Sequence, residues 1–274
     1  MKWNRFTLKT KTEAEDIVIC TLAEVGIEGV EIQDKQPLTD EDKAQMFVDI
    51  GEATITESQT EDKDWINNWK QYFHQFYVDD ILIVPSWEEV KAEDKDKMIL
   101  HIDPGTAFGT GMHETTQLVI RQLKKFVKPG MEILDVGTGS GILGIVALKL
   151  GAGHVVGTDL DPCAVPAVSE NKEANQIEEK SFDMMIGNII DDKDVQDQVG
   201  YEKYDIVTAN ILADVLVPLT PVIVAQMKKG AYYITSGILD VKEDVVVQAV
   251  KDAGLTLVEV THQGEWVSVT ARKD

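Results

Sequence analysis

Residues 133–144 read ILDVGTGSGILG, and no other stretch says as much about the architecture. An apolar, strand-like run leads into glycines at alternate positions, Gly137, Gly139 and Gly141, and an apolar helical run follows at once. A strand that passes through a glycine-rich turn directly into a helix is typical of α/β units that hold a nucleotide-like ligand. Glycines at alternate positions let the backbone come close to a bulky ligand.

The same loop fits two kinds of ligand. Gly139, Gly141 and Gly144 match G-x-G-x-x-G, and Asp159 follows Gly139 by 20 residues, which is the spacing of a dinucleotide site. Asp135 also gives the pattern D-x-G-x-G-x-G. An acidic loop would repel a pyrophosphate and suits a cationic sulfonium with an amino-acid tail. In either case Asp159 is predicted to accept hydrogen bonds from both ribose hydroxyls.

Strand-like and helical runs alternate from residue 113 to the end of the chain. This pattern predicts an α/β fold whose mostly parallel sheet is covered by helices on both faces. The seven predicted strands read MEILDVG, HVVGTDL, FDMMIGNI, YDIVTANI, AYYITSGI, TLVEVTHQG and EWVSVTAR. Only a short turn around Gly264 separates the last two, so they must be antiparallel. A terminal antiparallel hairpin favours a methyltransferase over a dehydrogenase.

The first 60 residues follow a different pattern. The run KWNRFTLK alternates as a strand, Thr12 and Glu15 form a capping box before a helical run, and GVEIQ and QMFVDIG follow as strands. The order β-α-β-β predicts a small α+β, ferredoxin-like domain. The next run, DWINNWKQYFHQF, predicts a helix packed between two domains, with aromatic residues at helical spacing: Trp65, Trp69, Tyr72, Phe73 and Phe76.

Composition narrows the class of protein. The 274 residues carry a net charge of −22, which is spread along the chain and disfavours binding to a nucleic-acid backbone. Cys20 and Cys163 stand far apart, so a disulfide framework is not expected. The opening residues have no apolar core of signal-peptide length, and no run is long enough to span a membrane. We expect a cytoplasmic protein without a membrane partner.

Four motifs in order resemble one family over essentially the whole chain: DPGTAFGTGMHETT, LDVGTGSGILGIVALKLGA, GTDLDPCAV and ANILADVL. The chain resembles the bacterial methyltransferase of large-subunit ribosomal protein eleven. The resemblance implies a seven-stranded Rossmann-like methyltransferase sheet at 96–274, a substrate-recognition domain at 1–60, and a linker helix with a connecting strand at 61–95. It implies S-adenosylmethionine as methyl donor, with S-adenosylhomocysteine as product. The acceptors would be lysine and N-terminal amino groups of a basic ribosomal protein, which an acidic enzyme could attract.

The resemblance also assigns residues to the cofactor. The loop before residue 114 would fold over the donor, with Gly109 and Gly111 supplying flexibility, and Thr116 would contact the polar groups of the donor. Gly137 and Gly139 would line it. Asn188, after the third strand of the large sheet, is the candidate for the adenine contact.

The segment TANILA, after the fourth strand of the large sheet, bears on the acceptor. Many methyltransferases of planar nitrogens carry Asn-Pro-Pro-Tyr here, but this chain keeps only Asn210 and continues with Ile211, Leu212 and Ala213. The missing aromatic disfavours a nucleobase, which is usually gripped by stacking. Asn210 is counted among the cofactor-binding residues, and with its neighbouring carbonyls it would also orient a flexible amine toward the methyl group. No side chain is assigned as an obligatory base.

Other functions stay open at this point. A nucleic-acid N-methyltransferase on the same fold is the main alternative, followed by an NAD-dependent oxidoreductase and a non-catalytic binding module. A metal site is not expected, because the HETT sequence that begins at His113 lacks the second histidine of H-E-x-x-H. The sequence does not specify which amines are methylated, how many methyl groups are added, or the oligomeric state.

Overall fold

The computed structural model describes residues 74–103 and 111–274, and the backbone of residues 2–9 and 54–61. The chain divides into two compact units, Met1–Tyr72 and Phe73–Asp274. In the first unit, strand β1 (Lys2–Lys9) pairs antiparallel with β2 (Thr54–Glu61). Strand β1 confirms the predicted KWNRFTLK strand. The helix and the two strands predicted next in the ferredoxin-like domain lie outside the described residues.

The second unit opens with a three-stranded sheet. Strand β4 (Ile81–Val84) pairs antiparallel with β3 (Phe76–Val78) and parallel with β5 (Met98–His101). The runs DILIVP and KMILHID each predict a strand, and β4 and β5 confirm them. The prediction was wrong for Phe76, which pairs with Ile83 in β3 instead of ending the aromatic helix. The pairing with β4 overrides the helical spacing of the aromatic residues; the other aromatic residues of that run lie outside the described part of the chain.

The large sheet has seven strands in the order β11-β12-β10-β9-β6-β7-β8. Strands β8, β7, β6, β9 and β10 are parallel, and β12 is antiparallel to both of its neighbours, β10 and β11. This confirms the predicted sheet and its terminal hairpin. The strands are β6 (Glu132–Val136), β7 (His154–Asp159), β8 (Phe182–Ile186), β9 (Tyr204–Asn210), β10 (Met227–Leu239), β11 (Thr256–Gln263) and β12 (Trp266–Arg272).

Six α-helices lie in the described part of the second unit: α1 (Glu114–Phe126), α2 (Ile142–Lys149), α3 (Ala164–Ala174), α4 (Lys193–Val199), α5 (Ala213–Ile223) and α6 (Glu243–Asp252). Two differ from the prediction. Helix α4 was missed because it is short and mostly polar; its signal is the cap at Asp192, which accepts a hydrogen bond from the backbone N–H of Asp194 at 2.9 Å. The run ADVLVPLTPVIVAQMKKG predicts that α5 continues to residue 230, but the helix ends at Ile223, and Met227 already pairs with Tyr204 in the sheet.

Alternating side chains of the central strands fill two cores, one on each face of the large sheet. In β6, Ile133 packs into one core and Leu134 into the other, and in β9 Ile206 and Val207 divide in the same way. This is the period of two that a strand imposes. Each fully buried side chain of this size contributes roughly 1.5–3 kcal/mol relative to exposure. The two cores therefore hold the strands in place, and with them the carboxyl ends of β6, β7 and β9, which lie side by side.

Predicted domain boundaries at residues 60 and 95 differ from the division into compact units. The predicted linker, 61–95, contains β3 and β4, whose residues belong to the second unit. Val78, at the end of β3, is fully buried in one of the two cores of that unit. The three functional segments inferred from the sequence stay a prediction.

Candidate functional site

The glycine loop lies between β6 and α2, at the carboxyl edge of the large sheet. Gly137 and Gly139 have φ angles of 72° and 54°, in the left-handed region that favours glycine. A Cβ atom at Gly137 would lie 2.5 Å from Cγ2 of Ile211. Ile211 follows directly on Asn210, so the loop touches the chain that leaves β9. The sequence motif and the TANILA segment therefore meet at one place.

Asp159, the last residue of β7, holds this loop. Its Oδ2 accepts a hydrogen bond from the backbone N–H of Gly139 at 2.8 Å, and its Oδ1 accepts one from the N–H of Asp161 at 2.9 Å. Each carboxylate oxygen can accept a second hydrogen bond. The 20-residue spacing between Gly139 and Asp159 thus corresponds to a direct contact, and acceptor capacity remains for a ligand with paired hydroxyl groups.

Asp135 is fully buried at the end of β6, behind the loop. Its Oδ1 accepts a hydrogen bond from the Thr208 hydroxyl at 2.6 Å, whereas its Oδ2 has no hydrogen-bond partner among the described residues. Burial is the main cause that raises the pKa of Asp135 to about 7; the nearby charge of Asp159 acts in the same direction, and Thr208 and the Gly144 backbone act against it. At neutral pH the loop therefore carries less negative charge than its sequence suggests.

Thr116 and Asn210 come together from elements that lie 94 residues apart in sequence. Thr116 is buried in the first turns of α1, and its Oγ1 accepts a hydrogen bond from Nδ2 of Asn210 at 3.3 Å. This bond orients the amide so that its oxygen, Oδ1, is the free acceptor. Oδ1 is buried and has no hydrogen-bond partner in the described part of the protein. A buried acceptor without a partner is costly, and it marks a position where a donor from a ligand would be stabilised.

Asn188 lies in the loop after β8, where its side chain is used locally. Its Oδ1 accepts a hydrogen bond from the N–H of Ile190 at 3.0 Å, and its Nδ2 donates to Asp191 at 3.1 Å. These bonds shape the turn that leads to α4. The adenine contact of Asn188 stays a prediction, and it would have to use the acceptor capacity that remains or the backbone of this loop.

Two aromatic rings beside α1 were not assigned to the site from the sequence. His113 caps α1, since its Nδ1 accepts a hydrogen bond from the N–H of Thr115 at 3.3 Å. The ring of Trp266, the first residue of β12, contacts His113 edge to face with a centroid separation of 4.8 Å. Trp266 thus lies near the α1 turn that carries Thr116. The sequence could have indicated Trp266 as a site residue, because it is the first residue of the last strand, which begins at the carboxyl edge of the sheet.

Part of the predicted cover of the site lies outside the described residues, including Gly109. Gly111 is buried, and a Cβ there would lie 2.8 Å from the side chains of Ile83 and Ile142, so the chain is tightly packed at this point. A residue with a side chain would therefore be unfavourable here, and the flexibility expected of Gly109 and Gly111 stays a prediction.

Two further observations on the described residues concern the requirements of a metal site and of a membrane span. Among residues 74–103 and 111–274, no group of three His, Cys, Asp or Glu side chains is arranged to bind a metal ion. None of the helices in the same ranges combines the length and the apolar character needed to cross a membrane.

Comparison with known proteins agrees with this geometry. The sequence model of the ribosomal protein L11 methyltransferase (PrmA) family matches residues 43–274. The chain belongs to this family. A ribosomal protein L11 methyltransferase of Lachnospira eligens is 51% identical, with 100% of each chain covered.

Solved structures of methyltransferases share the fold of this L11 methyltransferase family member. A ribosomal protein L11 methylase of Lactobacillus delbrueckii subsp. bulgaricus is 32% identical, covers 74% of this chain and 100% of its own, and has a TM-score of 0.66. A putative SAM-dependent methyltransferase of Streptococcus mutans has a TM-score of 0.52 at 10% identity and covers 70% of this chain and 69% of its own. The second similarity shows a shared fold alone.

Proposed function

We propose that the protein transfers methyl groups from S-adenosylmethionine to amino groups of ribosomal protein L11, on lysine side chains and at the N-terminus. Family membership supports the methyl transfer and the ribosomal substrate. One observation supports an amine as the methyl acceptor. The buried Oδ1 of Asn210 has no hydrogen-bond partner among the described residues, and Asn210 directly precedes Ile211, which contacts the glycine loop.

The residues of the loop edge fit S-adenosylmethionine. The left-handed backbone at Gly137 and Gly139 leaves room for close approach, and the spare acceptor positions of Asp159 suit the ribose hydroxyls. Thr116 would face the amino-acid part and Asn188 the adenine. When bound, the cofactor supplies an electrophilic methyl group on a positively charged sulfur.

The protein must present a neutral amine in line with that methyl group. A free lysine amine has a pKa near 10.4 and is mostly protonated at neutral pH. Removal of water around the amine and a positive charge beside it both lower that pKa. Oδ1 of Asn210 would then accept an N–H hydrogen bond and point the nitrogen lone pair away from itself. Most of the rate enhancement would come from this alignment, with water or a backbone carbonyl taking the proton.

The position of Trp266 is a second observation that supports an amine as the methyl acceptor. The sequence after β9 lacks an aromatic residue, but the Trp266 indole lies at the same edge of the sheet, against His113. An indole face attracts ammonium groups by about 0.5–2 kcal/mol, and a methylated amine is such a cation. Trp266 would therefore favour the product amine as well as the aliphatic stem of the lysine.

The first unit would recognise the substrate. Within the net charge of −22, residues 1–75 contribute 16 acidic and 8 basic side chains. Opposite charge on the partner accelerates association and orients the encounter. We include in this proposal the ferredoxin-like arrangement of residues 1–60.

Labelled S-adenosylmethionine tests these proposals. We expect the wild type to label unmethylated L11, and mass spectrometry to place the methyl groups on lysine and N-terminal nitrogens. Asn210→Ala should lower kcat by about 10²-fold, a larger effect than its effect on cofactor affinity, because one buried hydrogen bond that aligns the reacting atom is lost. Label in ribosomal RNA, or no label in L11, would contradict the proposal, and an unchanged kcat for Asn210→Ala would contradict the role of its amide.

A further inference from the structure

Four exposed apolar side chains lie beside the candidate site. Leu212 and Val215, at the start of α5, are 67% and 40% exposed, and Leu239 and Val241, at the end of β10 and just after it, are 37% and 80% exposed. We name these four residues the apolar rim. All four lie where the chain leaves β9 and β10, at the carboxyl edge of the large sheet.

A hydrogen bond and an ion pair show that these two parts of the chain are neighbours. The N–H of Ile211 donates to the carbonyl of Ser236 at 3.1 Å, and Lys242 forms an ion pair with Asp214 at 3.2 Å. Leu239 lies opposite Trp266 in the β10–β12 register. The apolar rim is therefore continuous on one side with the segment that carries Asn210 and on the other with Trp266.

Leu212 is unfavourable for stability at its position. It is the N-cap residue of α5, yet its side chain makes no capping hydrogen bond and is mostly exposed to water. Ser, Thr, Asp and Asn are preferred at this position because their oxygen atoms satisfy the first backbone N–H groups of the helix. A residue that neither caps the helix nor packs in the core breaks a local rule, and such exceptions are expected at functional sites.

Acidic side chains border the apolar rim. Asp214, Asp240, Asp244 and Glu265 are exposed around it, and the exposed Lys242 ammonium in their midst is already paired with Asp214. A surface with an apolar centre and an acidic border fits a segment of polypeptide that has apolar side chains next to lysine or arginine.

We propose that the apolar rim binds the polypeptide on either side of the methyl-accepting amine, and so selects amines by their sequence neighbours. This inference rests on the proposed function and extends it: Asn210 would orient the amine, and the apolar rim would hold its flanking residues. The exposed position of the rim then explains why an apolar residue occupies the N-cap of α5.

The test compares Leu212→Ser and Val241→Ser with Val258→Ser. Val258 is 44% exposed in β11, near the end of the strand away from the site, and serves as a matched control. With unmethylated L11 as substrate, we expect each rim variant to raise KM about five- to tenfold with little change in kcat. Affinity for S-adenosylmethionine should stay unchanged in all three. The melting temperature of Leu212→Ser should equal or exceed that of the wild type, because serine caps the helix.

The possible outcomes separate the apolar rim from the proposed function. An unchanged KM for L11 in both rim variants would overturn the proposal that the apolar rim binds the substrate. An equal change in the KM of the Val258→Ser control would also overturn it. A change in sedimentation from dimer to monomer on substitution would show that a second copy of the chain covers the rim, and would also overturn it. Failure of the wild type to methylate L11 would instead overturn the proposed function, whatever the rim variants do.

Discussion

Replacement of Asp159 by alanine tests the cofactor site most directly. The carboxylate already accepts two backbone hydrogen bonds, from Gly139 at 2.8 Å and from Asp161 at 2.9 Å. Two further hydrogen bonds to ribose hydroxyls, each contributing about 1.5–3 kcal/mol as bonds to a charged group, give a loss of roughly 3–6 kcal/mol. Affinity for S-adenosylmethionine should therefore fall by about 10²- to 10⁴-fold.

The same substitution also carries a stability cost. Loss of the Gly139 bond releases the glycine loop, whereas water can replace the carboxylate at the exposed N–H of Asp161, so we expect a destabilisation of about 1.5–3 kcal/mol. Calorimetric titration measures the affinity and urea unfolding measures the stability. Asp161→Ala is the matched control, since it removes a carboxylate from the same turn that accepts only the N–H of Cys163, at 2.8 Å, among the described residues. Wild-type affinity in folded Asp159→Ala would refute the ribose assignment.

Three other changes test the loop, its buried acid and the two units. The pKa of Asp135 is raised from 3.8 to about 7, so the stability that its protonated form contributes is present at low pH and lost as pH rises from about 4 through 7. Relative to Asp135→Asn, the wild type should lose roughly 4 kcal/mol of unfolding free energy between pH 4 and 8, measured by urea unfolding. A difference between the two proteins that does not change with pH would contradict this prediction. Gly137→Ala should lower both the melting temperature and the cofactor affinity, because its Cβ would lie 2.5 Å from the Ile211 side chain. The control Gly130→Ala has a similar φ of 81° but no atom within 4 Å of its Cβ, so it should show only the cost of backbone strain. Equal effects of the two substitutions would argue against the close contact. A fragment of residues 73–274 should bind S-adenosylmethionine as the full chain does, but should methylate L11 at less than about a tenth of the rate of the full chain. The reason is that binding of L11 by the first unit, away from the reacting atoms, would position the amine. Full activity of a soluble fragment would show that the first unit does not recognise the substrate.

The starting point of that fragment depends on where the second unit begins. From the sequence, a cut near residue 79 would separate the units, because the aromatic run was predicted to be a linker helix. The structure places Phe76–Val78 in β3, with Val78 fully buried in the second unit. A cut at residue 79 would therefore remove a strand and part of a core, and loss of activity would then have no clear cause.

Local sequence patterns predicted the large sheet because one rule governs each of its elements. Buried parallel strands need continuous apolar runs, helices need apolar positions on one side, and a tight strand-to-helix turn needs glycine. These requirements act within a few residues, so the order of residues alone locates the glycine loop, Asp159 and the terminal hairpin. Short helix α4 and the first residues of β10 were missed because their apolar signals are weak and pairing with distant residues decides them.

The seven-stranded sheet, the glycine loop with its following acid, and the family all follow from the order of residues along the chain. Three-dimensional packing was needed to show which side chains are in contact and which are buried: the Asn210 amide against Thr116, Trp266 against His113, and the full burial of Asp135 that raises its pKa. Hydrophobic periodicity and turn chemistry are local, and they can be read along the chain. Contact, burial and electrostatic environment depend on elements that lie far apart in sequence, and they exist only after the strands have been brought into one sheet.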